Sequence, residues 1–177
     1  MEYVGFHGTS SLNESSIKKE NFRVSSAANE WLGTGAYFFI DGVGNPHLHA
    51  KNWARFRKSS RFVVLSVKVI VENVLQMDTN EGVEAFNYYR DYVISRMRKS
   101  GEKPSKSLIV NDCIVFNHML QNAAFDAVIN REFIKLDLWS RINKYGSRVP
   151  NCRVLSVKEP SASINVDQIE VVERGIK

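Results

Sequence analysis

The amino-acid sequence predicts one α+β domain, and three observations carry that expectation. Runs rich in β-branched and aromatic residues lie near both ends of the chain. The middle holds two long segments with apolar residues at helical spacing, and 177 residues suit a single core. Apolar residues make up 44% of the chain and aromatics 11%, enough to bury that core, which excludes wholesale disorder. No apolar run approaches the ~18 residues that a membrane span needs. The opening residues carry no basic stretch followed by an apolar one. A cytoplasmic protein with no membrane partner is expected.

The elements follow in order. Residues 3–6 form a short apolar strand leading into His7-Gly8-Thr9-Ser10, and residues 12–21 carry helical spacing (Leu12, Ser16, Ile17, Glu20), with Ser11 or Asn13 as the cap. A second extended piece spans 22–25, a polar loop 26–31, and Gly33-Thr34-Gly35 opens the aromatic strand 36–40. Gly42, Gly44 and Pro46 break that strand ahead of a helix over 47–58, whose buried face holds Ala50, Trp53 and Ala54. Residues 62–70 make the clearest strand, rich in valine and isoleucine. Asp78 and Glu81 read as a capping box for a long helix with Val83, Phe86, Val93 and Met97 on one stripe. Gly101 and Pro104 end that helix. Another spans 105–121, with Leu108, Ile109, Cys113, Phe116, Met119 and Leu120 together. Strands at 124–129, 153–157 and 168–172 complete a single domain over 1–177. Cys113 and Cys152 stand far apart, outside any metal-ligand spacing, and read as reduced, buried thiols; no metal site is expected.

Two motifs stand out, Phe6-His7-Gly8-Thr9 and Gly33-Thr34-Gly35-Ala36-Tyr37-Phe38. Singly, each has a structural explanation in a histidine after a strand or a turn before one. In this order, with Asn21-Phe22-Arg23-Val24-Ser25 between them and Ala50-Lys51-Asn52-Trp53-Ala54 after, they resemble ADP-ribosyltransferases of the diphtheria-toxin and poly(ADP-ribose) polymerase type. The match covers residues 3–54, with a fainter echo at Phe125-Asp126-Ala127-Val128. The resemblance implies an ADP-ribosyltransferase-like fold in which two small, mostly antiparallel sheets form an NAD cleft flanked by helices. It implies NAD as substrate, with Tyr37 stacked on nicotinamide and His7 bonded to a ribose hydroxyl. It also implies that the Gly8 backbone meets the carboxamide, and that Thr9, Ser25, Gly35 and Phe39 line the rest of the site with Trp31. Such enzymes break a bond between nicotinamide and ribose through a cationic sugar, as in glycoside cleavage.

The sequence departs from that family at the late strand, where a glutamate or glutamine usually supports the cationic ribose. Arg153 or Val154 occupies the place here, depending on register. A guanidinium ~5 Å from the developing charge, at an effective dielectric of ~20, would oppose it by about 3 kcal/mol. Three explanations stay open: a carboxylate from elsewhere (Asp126, Glu132 or Glu159), a site completed by the target, or a domain that binds NAD without turning it over.

The 24 lysines and arginines exceed the 19 acids by five, which favours a polyanionic partner. Lys51, Arg55, Lys58 and Arg61 form one basic cluster, and Arg96, Arg98, Lys99, Lys103 and Lys106 a second. The preferred acceptor is single-stranded RNA or DNA, with Trp139 or Tyr145 stacking on bases, and a protein side chain or a small molecule as the other options. Compactness resembles bacterial or phage toxins and anti-phage effectors, which implies an inhibitory antitoxin as a further partner. The alternatives are a non-catalytic module that binds NAD or a partner, and a basic nucleic-acid-binding domain.

Overall fold

The computed structural model describes residues 1–56 and 60–176. These form seven strands, β1 (Glu2–Ser10), β2 (Ala36–Ile40), β3 (Arg61–Ile70), β4 (Val74–Gln76), β5 (Ala127–Glu132), β6 (Cys152–Val157) and β7 (Glu170–Ile176). The helices are α1 (Glu14–Glu20), α2 (Pro46–Arg55), α3 (Asn80–Ser100), α4 (Leu108–Asn122), α5 (Leu138–Ile142) and α6 (Pro160–Ser163). The strands make one mixed sheet in the order β4-β5-β6-β2-β1-β3-β7, in which β4 and β5 are parallel and the other pairs antiparallel.

Both faces of this sheet are covered, which explains why β3 reads as a continuous apolar run and not as an alternation. Phe62 and Val64 pack under Ala50 of α2, Phe86 of α3 and Phe116 of α4. Val63 and Leu65 point the other way, against Ile17 of α1 and Ile164. Val63, Val64 and Leu65 are each 0% exposed, so consecutive residues serve two separate cores.

The resemblance implies two small sheets, and the structure has one. The halves are joined where β1 meets β2, and among the described residues the register there consists of Phe6 opposite Phe39. By contrast, β1 pairs with β3 from Glu2 to Ser10, and β2 pairs with β6 along its whole length. One pair of residues is enough to make the sheet continuous. The residues after Phe6 and before Phe39 are not paired with each other, and a cleft lies between them.

Local chemistry sets the helix ends, in places differently from the sequence reading. Ser10 accepts the amide of Leu12 (3.2 Å) and starts a 3-10 turn ahead of α1, whose N-cap position is held by Asn13 without a side-chain cap bond. Thr79, not Asp78, caps α3 by accepting the Gly82 amide at 3.1 Å. Gly101, at φ 74°, ends that helix in the left-handed conformation. Residues 22–25 form no strand; Ser25 makes an isolated bridge to Gly35. Val83, Leu108 and Ile109 are exposed, whereas Gly82 and Val115 are buried. No helix among the described residues is long and apolar enough to cross a membrane.

Candidate functional site

The cleft between β1 and β2 encloses about 980 Å³. His7, Gly8, Thr9 and Ser10 line it from β1, and the stretch from Gly35 to Phe39 lines it from β2 and the residue before. Phe22, Ser25, Glu30 and Trp31 come from the loop between α1 and β2, Trp53 from α2, Ile109 from α4 and Val154 from β6. The residues of the two motifs, thirty positions apart in sequence, therefore share one cavity.

His7 and Tyr37 are also bonded to each other. The His7 Nδ1–H donates to the Tyr37 carbonyl oxygen at 2.9 Å. A carbonyl only accepts, so Nδ1 carries the proton, and the bond orients the ring. Phe22 meets the imidazole edge-on at 5.0 Å and Phe38 lies at 5.8 Å. The Tyr37 phenol is tied to its own turn: it donates to the Gly33 carbonyl and accepts the Leu32 amide at 3.0 Å. Burial raises its pKa well above the usual tyrosine range, and the phenol stays neutral. Trp31 packs edge-on against Tyr37 at 6.0 Å, and Trp53 against Trp31 at 5.4 Å. The result is an aromatic wall, with the Arg141 guanidinium 5.1 Å from the Trp53 ring.

The loop that carries Ser25 and Glu30 is clamped at several points. Ser25 and Gly35 exchange backbone hydrogen bonds of 2.9 and 3.0 Å. The Ser25 hydroxyl donates to the Glu30 carboxylate. The Glu30 amide bonds Ala27 O (3.3 Å), which also accepts from the Cys113 thiol of α4 at 3.7 Å. Asn117 of α4 accepts the Thr34 amide at 2.6 Å.

Comparison with protein-family models and with curated proteins returns no match.

Several expected site residues have roles in the architecture as well. A Cβ on Gly8 would lie 1.8 Å from the Ala50 carbonyl oxygen, so the close approach of α2 to β1 already requires glycine there. One on Gly35 would lie 2.2 Å from Ser156 Oγ of β6. The Thr9 hydroxyl accepts from Asn13 Nδ2 at 2.9 Å, and Phe39 is a buried wall.

Arg153 does not line the cleft. Its Nε donates to Asp78 Oδ2 at 3.1 Å, and its Nη1 to the Asp41 carbonyl at 3.4 Å. Side chains alternate along β6, so Val154 faces the cleft and Arg153 faces Asp78. The guanidinium expected at this place is thus turned away from the cleft lining. The three carboxylates that could substitute are elsewhere too. Asp126 accepts the amides of Glu72 and Asn73 (3.0 and 2.9 Å), Glu132 accepts from Asn130 at 2.8 Å, and Glu159 precedes α6. None is among the described residues lining the cleft.

Among the described residues, those of the basic clusters also lie off the cleft lining. Lys51 is paired with Glu173 at 2.7 Å, Arg55 is exposed in the last turn of α2, Arg61 opens β3, and Lys58 falls outside the described residues. Arg98 and Lys99 occupy the last turn of α3, where they complement the helix dipole. The sequence pattern does not single out Glu30, Arg23, Asn13 and Trp53 as cleft residues. Glu30 has one signal, an acid five residues after a hydroxyl in the loop leading to Gly33.

Proposed function

We propose that this chain is an ADP-ribosyltransferase that takes NAD into the cleft between β1 and β2, releases nicotinamide and passes ADP-ribose to an acceptor. The observation that carries the reading is the convergence of His7 and Tyr37 on one cavity, joined by a hydrogen bond that holds the imidazole against the strand bearing the phenol. The cavity volume suits a dinucleotide-sized ligand, small-molecule sites running to about 1,000 Å³. In this reading Tyr37, with Trp31 behind it, offers a flat aromatic surface to the nicotinamide ring. His7 bonds a ribose hydroxyl, and the Gly8 backbone meets the carboxamide. Ser25 and Thr9 serve the remaining sugar and phosphate groups.

The bond between the nicotinamide nitrogen and ribose C1 breaks, and its electron pair stays on nitrogen, leaving neutral nicotinamide. An acceptor oxygen or nitrogen then bonds C1 and releases its proton. The favoured acceptor is single-stranded RNA or DNA. Trp139 and Tyr145, 64% and 51% exposed, lie on and after α5 in the same stretch of sequence as Lys144 and Arg148. From the same helix Arg141 reaches over Trp53 at the cleft wall. Aromatic planes with nearby cations suit bases and phosphates together. A toxin or anti-phage role, held in check by an antitoxin protein, belongs to the same reading.

Chromatographic assay of free nicotinamide, with NAD alone and with single-stranded RNA or DNA added, tests this. Release is expected from the intact protein and loss of at least about 100-fold from His7→Ala and Tyr37→Ala. A second reading, a module that binds NAD without turnover, draws on the absence of a late-strand carboxylate at Val154. NAD binding with no nicotinamide released would replace the first reading by the second. Nucleic-acid binding indifferent to both NAD and His7 would point to a plain nucleic-acid-binding domain.

A further inference from the structure

We infer that Glu30 is the carboxylate that faces the ribosyl cation, taking from an early loop the duty that the late strand leaves undone. This rests on the NAD reading of the cleft. Arg23 and Glu30 are the charged side chains among the described cleft-lining residues apart from the titratable His7, and Glu30 is the one carboxylate there. The chemistry needs a negative charge. As the C1–N bond breaks, positive charge spreads over ribose C1 and its ring oxygen, and a fixed carboxylate stabilises that distribution more than it does the bound substrate.

Three features make Glu30 suitable. It belongs to the same wall as Tyr37: the carboxylate is near enough to oppose ionisation of the phenol, and its neighbour Trp31 packs on the ring. Its side chain is oriented by the Ser25 hydroxyl, and Ser25 is pinned through its backbone to Gly35, two residues before Tyr37. The loop does not hang free, because Ala27 and Thr34 are bonded to Cys113 and Asn117 of α4. An acid held this way needs little reorganisation when charge develops. The sugar cation is then captured by the acceptor, whose proton leaves to solvent. The carboxylate itself forms no covalent bond and ends the cycle ionised.

Glu30→Gln is the informative change, since it keeps the acceptor oxygen for Ser25 while removing the charge. Expected are an unchanged melting temperature, NAD affinity within about threefold by tryptophan quenching, and a fall of about 10²–10³ in the rate of nicotinamide release at saturating NAD. Glu30→Asp, which restores the charge at a shorter reach, should recover part of that rate. Ser25→Ala should lose a smaller factor, because the carboxylate persists without its orienting hydroxyl. Equal release by wild type and Glu30→Gln overturns the assignment and leaves the NAD reading standing. Parallel loss of binding and release also overturns it, as does a Glu30→Asp protein no faster than Glu30→Gln. No release from wild type, with or without acceptor, removes the transferase reading and this assignment with it.

Discussion

Replacing Tyr37 by phenylalanine separates what the ring does from what the hydroxyl does. The phenol oxygen holds two partners in the turn before β2, donating to the Gly33 carbonyl and accepting the Leu32 amide at 3.0 Å. Leu32 is fully buried and Gly33 sits at φ 78°, so the turn cannot readily rearrange to find new partners. Removing the oxygen leaves one N–H and one C=O unpaired. Each costs about 1–3 kcal/mol when buried, and partial water access at the cleft keeps both near the lower end. Subtracting the relief of no longer burying a hydroxyl, Tyr37→Phe should destabilise the fold by about 2 kcal/mol. That corresponds to a melting temperature lower by about 4–8 °C at this chain length. Urea unfolding followed by tryptophan fluorescence reads the change directly, with Trp31 beside the mutated ring. The aromatic surface is retained, so on the proposed transferase reading nicotinamide release should fall far less than in Tyr37→Ala. A stability change under about 0.5 kcal/mol would refute the claim that these two bonds hold the turn.

Two further predictions concern buried charge. Burial pushes the Glu132 carboxyl up to about 7 from its ordinary 4.5, with the nearby Asp112 charge adding to the rise and the Asn130 bond opposing it. The folded state thus holds the proton more tightly than the unfolded chain. The Glu132 contribution to stability should decline as pH rises from 4.5 to 7, by about 3 kcal/mol in all, and stay level above that. Glu132→Gln should remove this decline, so the stability gap between variant and wild type, from urea midpoints across that range, widens with pH; a constant gap would contradict the assignment. Asp78 stands between Arg153 and Arg131 (3.1 and 3.5 Å), which are direct neighbours across β6 and β5. Asp78→Ala should cost about 2 kcal/mol by leaving like charges opposed, and Asp78→Ala/Arg153→Ala should regain part of it, measured as a double-mutant cycle.

Elements with strong local patterns are legible in the sequence. The valine-rich β3, the aromatic β2 after its glycine turn, and the long helices α3 and α4 all lie close to where spacing and breakers put them. Short elements are not legible in this way. β4 has three residues and no periodicity of its own, and becomes a strand by pairing in parallel with β5. The five residues of α5 owe their turn to the Asp137 side chain, which accepts the Ser140 amide at 2.8 Å. The cap of α3 falls one residue later than the sequence pattern suggests, because Asp78, an equally good capping side chain, is drawn to Arg153 75 positions away. Gly82 lies on the inner face of α3 because the chain of Gln76 passes so close that a Cβ there would fall 1.9 Å from its carbonyl oxygen.

The candidate site divides in the same way. Sequence alone put His7 and Tyr37 at or within strands, since the apolar runs beside them are contiguous, and the structure has both inside strands, β1 and β2. Tertiary structure decided the rest: that the two halves form one sheet joined at Phe6 and Phe39, that Val154 and not Arg153 meets the cleft, and that Glu30, held by Ser25, shares the cleft lining with Tyr37. The physical reason is register. Which face a strand residue presents depends on pairings between segments tens of residues apart, and such pairings leave no trace in local periodicity.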